Sequence, residues 1–231
     1  MPVSLVDFTT FAAINEHHAM PREIDALGAY CERWSTAQST LLHELERETH
    51  LKTLAPQMMS GHLQGRLLSL LSQLCQPRVI LEVGTFTAYA TLCLAEGLPP
   101  GGRLHTIEVN EELAYLIRKY IRRAGGEDRI QLHLGDAAEL IPQIEGDFDL
   151  VFIDAGKMDY ARHYDLVIDR LRPGGLLLAD NVLWSGKIVD RLHDDPDAQI
   201  LHAFNQKVQA DERVDNLILP IRDGLSIARK R

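Results

Sequence analysis

From Val79 onward the chain alternates short apolar runs (VILEV, RLHTIEV, RIQLHL, DLVFI and GLLLAD) with amphipathic segments such as NEELAYLIRKYIRRAG. Runs of this length, apolar almost throughout, suit strands buried on both faces. Strands that alternate with helices build a parallel sheet with helices on either side, so the pattern predicts an α/β fold. The tail departs from it. VDNLILPI and LSIARK are joined only by RDG, a short turn that suits an antiparallel hairpin.

Ahead of Val79 the pattern is helical. REIDALGAYCERW and TAQSTLLHELERETHL carry apolar residues at helical spacing, and a further helix, GHLQGRLLSLLSQL, is expected to start after Ser60 as its N-cap and to stop at Pro77. No repeat or low-complexity linker interrupts the chain. The reading is therefore one domain, residues 57–231, preceded by a helical N-terminal arm, residues 1–56.

Composition narrows the function classes. With 231 residues, 45% of them hydrophobic and 25% charged, one sizeable core can form. A formal net charge of −9 opposes binding to a polyanion such as nucleic acid. Cys31, Cys75 and Cys93 are odd in number and sit in apolar or helical contexts, so they read as reduced thiols. The stretch MPVSLVDFTT lacks the basic and apolar regions of a leader, and no apolar run approaches the roughly 18 residues of a membrane span. A cytoplasmic protein is expected.

Ligands of open parallel sheets bind beyond the carboxyl ends of the strands. In this chain all five such ends carry an acid. The first has Glu82, then Gly84 where the backbone turns and Thr87 as the expected cap of the next helix; the second has Glu108, the third Asp136 within GDAA, the fourth Asp154, and the fifth Asp180 with Asn181. Any one alone reads as a helix cap or turn former. Glu82 resists that reading, because it lies inside VILEV and a buried Glu is rare without a partner. Glu108 follows Glu82 at close to the spacing at which an acid accepts hydrogen bonds from a ribose diol. GTFTAY is not the glycine fingerprint that cradles a pyrophosphate, and no phosphate-binding loop motif occurs, so a nucleoside without phosphates fits better than NAD or ATP. This weighs against a nicotinamide-dependent dehydrogenase.

The segments PQMMSG, ILEVGTFTAYA, TIEVN, GDAAE, DLVFIDAGKMDY, LRPGGLLLADNVLWSG, FNQKV and LPIRDGL, in this order, resemble the cation-dependent S-adenosylmethionine O-methyltransferases, the caffeoyl-CoA and catechol O-methyltransferase family of bacterial type. The likeness runs from about Gln57 onward. It implies the class I methyltransferase fold, a Rossmann-like seven-stranded sheet with a reversed last strand. It also implies contacts to the methionine part of S-adenosylmethionine by Glu82, Gly84 and Phe86, to the ribose by Glu108 and to the adenine by Asp136 and Ala137, with Met58 near the sulfonium. Asp154, Asp180 and Asn181 match the family's metal ligands, and Asp154 also borders the cofactor. Two carboxylates and an amide oxygen suit Mg²⁺, Ca²⁺ or Mn²⁺ better than Zn²⁺.

The implied reaction is methyl transfer to a hydroxyl of a catechol-like small molecule, with Lys157 and Asp154 as catalytic residues and Lys157 taking or balancing the proton. A non-catalytic cofactor-binding protein on the same fold and a methyltransferase acting on another hydroxyl are the alternatives. A nucleic-acid methyltransferase is disfavoured by the acidic balance and the absence of an NPPY-type motif.

Three departures stand out. Ala88 stands where the family usually has Gly. Ala90 replaces a common Ser on the cofactor carboxylate, leaving Thr91, Thr85 or backbone amides for that work. Gly156 replaces the bulky aromatic of the animal catechol enzymes, which implies an open wall. Trp184 reads equally as a substrate wall or a packing residue, within an expected polar loop from Leu183 to Gln199. His17 and His18 read as exposed helix residues. The resemblance further implies a homodimer, with the arm covering the site or forming the contact.

Overall fold

The computed structural model describes residues 21–231, which separate into compact units divided between Ala37 and Gln38. His17 and His18 lie outside the described residues. In the first unit, helix α1 (Pro21–Arg33) follows the expected period, and the rings of Tyr30 and Trp34 lie 6.1 Å apart at its end.

The second unit opens with α2 (Thr40–Lys52), whose first turn is capped by Ser39 Oγ accepting the Leu42 N–H at 3.3 Å. Its Leu42 and Leu45 are buried in the core of the sheet domain. Sequence placed this helix in the arm because only a narrow stripe, Leu42, Leu45 and Thr49, is buried and the rest is polar. Helix α3 (Gly61–Cys75) starts after Ser60 as expected, although the Ser60 hydroxyl makes no capping bond, and it ends on left-handed Gln76 just before Pro77.

Strands β1 (Val79–Val83), β2 (Arg103–Glu108), β3 (Ile130–Leu134), β4 (Phe148–Ile153), β5 (Leu171–Ala179), β6 (Val214–Leu219) and β7 (Leu225–Lys230) form a seven-stranded sheet in the order β3-β2-β1-β4-β5-β7-β6. The first five run parallel, and β7 is antiparallel to both neighbours, with Leu177 opposite Ala228 and Leu217 opposite Ile227. The expected hairpin is present, and its second strand slots between β5 and β6. β5 begins earlier than the run GLLLAD suggests, because Leu171 already pairs with Phe148 before the register shifts.

Strand side chains alternate between two cores, as the pleat requires. Ile80, Leu150, Phe152, Leu176 and Leu178 pack with α2, α3, α4 (Tyr89–Ala95) and α5 (Ala114–Arg123). Leu81, Val83, Val151, Ile153 and Leu177 pack with α7 (Tyr160–Ile168) and α9 (Pro196–Ala210) on the other face. Each such side chain contributes about 1.5–3 kcal/mol by leaving water, so both faces hold the strands, which explains their unbroken apolar runs. The short α6 (Ala137–Leu140) follows β3. The stretch from Leu183 to Gln199, expected as a loop, contains a 3₁₀ turn at Trp184–Gly186, α8 (Lys187–Asp190) and the start of α9, where Asp195 accepts the Ala198 N–H at 3.0 Å.

The chain leaves β1 for β2 and β3, then returns on the other side of β1 through β4. The carboxyl ends of β1 and β4 thus flank the crevice where such sheets bind ligands.

Candidate functional site

Backbone rather than side chains shapes the loop after β1. Gly84, Phe86 and Ala88 all adopt left-handed conformations, at φ 98°, 51° and 74°. A Cβ on Gly84 would lie 1.9 Å from the carbonyl oxygen of Asp154, so only glycine fits there. The two loops touch main chain to main chain, fastened by the Asp154 N–H on the Val83 carbonyl at 2.8 Å. Left-handed Ala88 fits the glycine that the resemblance implies at this position: an L side chain in that region costs roughly 1–2 kcal/mol. It also displaces the expected cap. Helix α4 starts from Ala88 with no side-chain bond, and Thr87 is instead buried, accepting the Thr49 hydroxyl at 3.0 Å.

Glu82 lies wholly buried beneath this loop. Its Oε2 accepts the hydroxyls of Thr91 at 2.5 Å and Thr106 at 2.6 Å. Since the Thr106 proton goes to Glu82, Thr85 is the donor in the 2.5 Å Thr85–Thr106 contact. Oε1 is buried and has no partner among the described residues. Burial pushes the Glu82 carboxyl up to about 8, against the pull of the two threonines. The hydroxyl protons of Thr85 and Thr91 are therefore committed internally, and so are the Gly84, Thr85, Phe86 and Ala88 amides of the loop. Ala90 itself is buried in the first turn of α4.

Glu108 holds the same loop from β2: Oε2 accepts the Phe86 N–H at 2.7 Å and Oε1 the Asn110 N–H at 2.8 Å. A carboxylate has lone pairs beyond these two. Asp136 caps α6 through the Ala138 N–H at 2.7 Å, with Ala137 as the first helical residue. Met58 ends a 3₁₀ turn, Pro56–Met58, and is exposed.

At the ends of β4 and β5 the partners are charged. Lys157 Nζ donates to Asn181 Oδ1 at 2.6 Å and to the Tyr160 hydroxyl at 2.8 Å, and lies 3.8 Å from Asp154 Oδ1. The Tyr160 hydroxyl passes its own proton to the Asp180 carbonyl at 3.0 Å. Asp180 Oδ2 accepts Gln64 Nε2 at 2.7 Å, and Oδ1 accepts the Asn181 N–H at 2.7 Å. Asn181 and Asp154 thus lie beside one ammonium group, while the Asp180 carboxylate acts on it through its charge and its main-chain carbonyl reaches it through Tyr160. Burial, and then the like charge of Asp180, push the Asp154 carboxyl up, while Lys157 and Arg222 oppose this. Burial pushes the Lys157 amine down against the carboxylates of Asp154, Asp180, Asp223 and Asp197. Among the described residues no group of three or more His, Cys, Asp or Glu is arranged to hold a metal ion; this triad contains two carboxylates and an amide.

Beyond the triad the backbone is strained. Asn181, Trp184 and Ser185 are left-handed at φ 57°, 47° and 53°, a concentration typical of functional loops. The Trp184 ring lies 6.0 Å from Lys157 Nζ and 5.6 Å from Lys187 Nζ, and it also packs against the core beneath. At Gly156 a Cβ would meet nothing within 4 Å, so this wall is open.

Sequence reasoning missed Gln64, Tyr160 and Arg222. Gln64 left a signal: it falls on the buried stripe of α3 with Gly65, Leu68, Ser69 and Ser72, where a polar amide requires a partner.

A family model described as O-methyltransferase matches residues 32–231. The chain belongs to the O-methyltransferase family. A catechol O-methyltransferase of Niastella koreensis is 38% identical over 174 residues, covering 71% of this chain and 79% of that protein. Catechol O-methyltransferase domain-containing protein 1 of Mus musculus is 31% identical over 220 residues, covering 93% and 84%. Among solved structures, the Bacillus cereus O-methyltransferase in complex with SAH superposes with a TM-score of 0.82 at 30% identity, covering 89% of this chain and 97% of that one. The protein is an S-adenosylmethionine-dependent O-methyltransferase with the sheet order and reversed last strand expected of that fold. No helix among its described residues is long and apolar enough to cross a membrane.

Proposed function

We propose that this methyltransferase transfers the methyl group to a hydroxyl of a catechol-like vicinal diphenol, with a divalent cation held by Asp154, Asp180 and Asn181. The observation that carries the reading is the clustering of these three oxygen donors at the ends of β4 and β5, with Asn181 and Asp154 beside the Lys157 ammonium and Asp180 tied to the Asn181 N–H. Two neighbouring acids, Asp180 buried and Asp154 partly so, with the Asp154 carboxyl pushed up first by burial and then by the charge of Asp180, fit a hard dication. A bound ion of this kind supplies Lewis acidity that eases ionisation of a phenolic hydroxyl.

The remaining roles belong to the chain. Lys157 takes the hydroxyl proton at Nζ; burial inclines its amine toward the neutral form that a base requires. Tyr160 and Asn181 fix the position of that nitrogen. Trp184 offers a ring face to the aromatic substrate, and the open space at Gly156 leaves room for substituents.

On the β1 side, Glu108 accepts the ribose diol and Asp136 with Ala137 borders the adenine. Glu82, through its unpartnered Oε1, receives the amino group of the methionine part below Gly84, Thr85 and Phe86. A buried acid with a spare oxygen and no cationic partner fits an incoming ammonium. Ala90 adds only a small apolar surface beside it, and Met58 faces the sulfonium.

Catechol, a caffeate ester and a monohydroxyl phenol, incubated with labelled S-adenosylmethionine and Mg²⁺, Mn²⁺ or EDTA, test the reading. Transfer that needs the metal is expected. Transfer undiminished in EDTA would remove the cation from the reaction, and transfer only to monohydroxyl acceptors would remove the catechol.

A further inference from the structure

Arg222 lies in the turn RDG, within LPIRDGL and far in sequence from residues 57–60, yet its guanidinium reaches three main-chain carbonyls of that segment. It donates to Met59 O at 2.8 Å, to Gln57 O at 3.2 Å, and to Ser60 O. That segment carries Met58 and leads directly into α3, whose Gln64 bonds Asp180. Exposed arginines usually contribute little, because ordering the long side chain offsets its bonds. A planar fork that satisfies three carbonyls of one short segment differs, since it fixes the path of a turn that has few other ties.

The turn bearing Arg222 is also tied on its other side. Asp223 accepts the Ser185 N–H on its side chain and the Leu183 N–H on its carbonyl at 2.9 Å, and the Gly224 carbonyl accepts the Val182 N–H at 3.1 Å. A Cβ on Gly224 would lie 2.3 Å from Leu183 Cγ, so the turn sits hard against the loop of Trp184. It belongs at the crevice, because β7 starts beside the end of β5, with Ser226 opposite Ala179. Arg222 itself is left-handed, at φ 50°. Glycine would adopt that backbone without strain, so an arginine here keeps an unfavourable conformation and uses its side chain as the clasp.

We infer that Arg222 is a positioning residue that clasps the segment 57–60 onto the β6–β7 turn, so that the wall containing Met58 and the wall containing Trp184 are set relative to the Asp154–Asp180–Asn181 triad as one unit. The inference rests on the proposed reading of that site. It assigns Arg222 no contact with substrate or cofactor.

Arg222→Gly is the informative substitution, because it removes the clasp and relieves the backbone together, leaving the fold intact. Hydrogen exchange of the full-length protein, with and without S-adenosylhomocysteine, would follow the Met58 and Met59 amides, which bond Ala55 O and Pro56 O in the turn under the clasp. Exchange there is expected to quicken by about tenfold, the equivalent of one charged hydrogen bond, while strand amides of β1 and β4 keep their rates. In parallel, KM for catechol is expected to rise by a similar factor with kcat changed far less, and Arg222→Lys is expected to recover part of both. Unchanged exchange at Met58 and Met59 would overturn the inference, and so would uniform acceleration throughout the sheet, which marks a merely structural residue. If the wild-type protein fails to methylate catechol, the reaction reading fails while the exchange measurement still decides the clasp.

Discussion

The two sides of the crevice bury acids by opposite means. Glu82, under the loop after β1, receives only neutral hydroxyls and keeps one oxygen without a partner. Asp154, one strand away, lies 3.8 Å from Lys157, and Asp180, two strands away, adds its charge, while Lys157 and Arg222 act on Asp154 with opposite charge. A carboxyl surrounded by neutral donors in a dry site holds its proton and waits for a cation to arrive. Paired carboxylates repel, and the chain counters them with its own cations. On the proposed reading, one side receives positive charge carried on an organic ligand. The other regulates positive charge that is already there, and on the proposed reading it exchanges an ammonium's company for that of a metal.

Substitutions on the charged side are expected to have the largest effects. Asp154→Ala should lower metal-dependent turnover by at least about 100-fold, since even groups behind metal ligands are worth 10–100-fold. Binding of S-adenosylhomocysteine, followed by tryptophan fluorescence, should survive. Lys157→Ala should lower kcat by on the order of 100-fold or more with the affinity for the methyl donor nearly unchanged; an unaltered kcat would remove the lysine from proton transfer.

The neutral side should respond to pH instead. A carboxyl held near 8 when folded and near 4.5 when unfolded binds more protons in the native state across that window. It therefore makes the fold less stable as pH rises from about 5 to 8, by about 1 kcal/mol per unit, and adds no slope above. Glu82→Gln should flatten the urea-unfolding free energy in that window relative to wild type. Parallel curves would mean that Glu82 is ionised throughout.

The smallest effect is expected at Ala88. Relief of left-handed strain on going to glycine, roughly 1–2 kcal/mol, is offset by a lost buried methyl, about 0.8 kcal/mol, and by chain entropy, about 0.5–1 kcal/mol. Ala88→Gly should change stability by less than about 1 kcal/mol and leave cofactor affinity within about threefold. A larger loss of affinity would mean that the methyl group, and not the backbone, shapes that loop.

Legibility in the sequence divides along similar lines. The strands could be read because burial on both faces leaves unbroken apolar runs, and Glu82, Glu108, Asp136, Asp154 and Asp180 because topology places strand ends together. The reversed hairpin could be read from its short turn, but not its insertion beside β5, which depends on pairing across the sheet. Thr85 and Thr91 looked available for the cofactor because nothing local reveals that Thr106 and Glu82 consume them from other strands. Gln64 and Arg222 find their partners 116 and more than 160 positions away, beyond any spacing rule. Thr87 failed as a cap because Ala88 turns left-handed first. Helix α2 was assigned to the arm because so little of its surface is apolar.

The late arrival of β7 bears on biogenesis. A ribosome delivers the chain in order, and domains organise as their segments emerge. Strands β1, β2 and β3, with Glu82, Glu108 and Asp136 at their carboxyl ends, emerge in the nascent chain long before Leu225–Lys230 appear. Until they do, β5 presents an unpaired edge directly beside Asp180, and the turn that carries Arg222 and Asp223 lacks the strand that anchors it beside β5. On the proposed reading, the donor side of the crevice therefore emerges first and the wall opposite it is completed last.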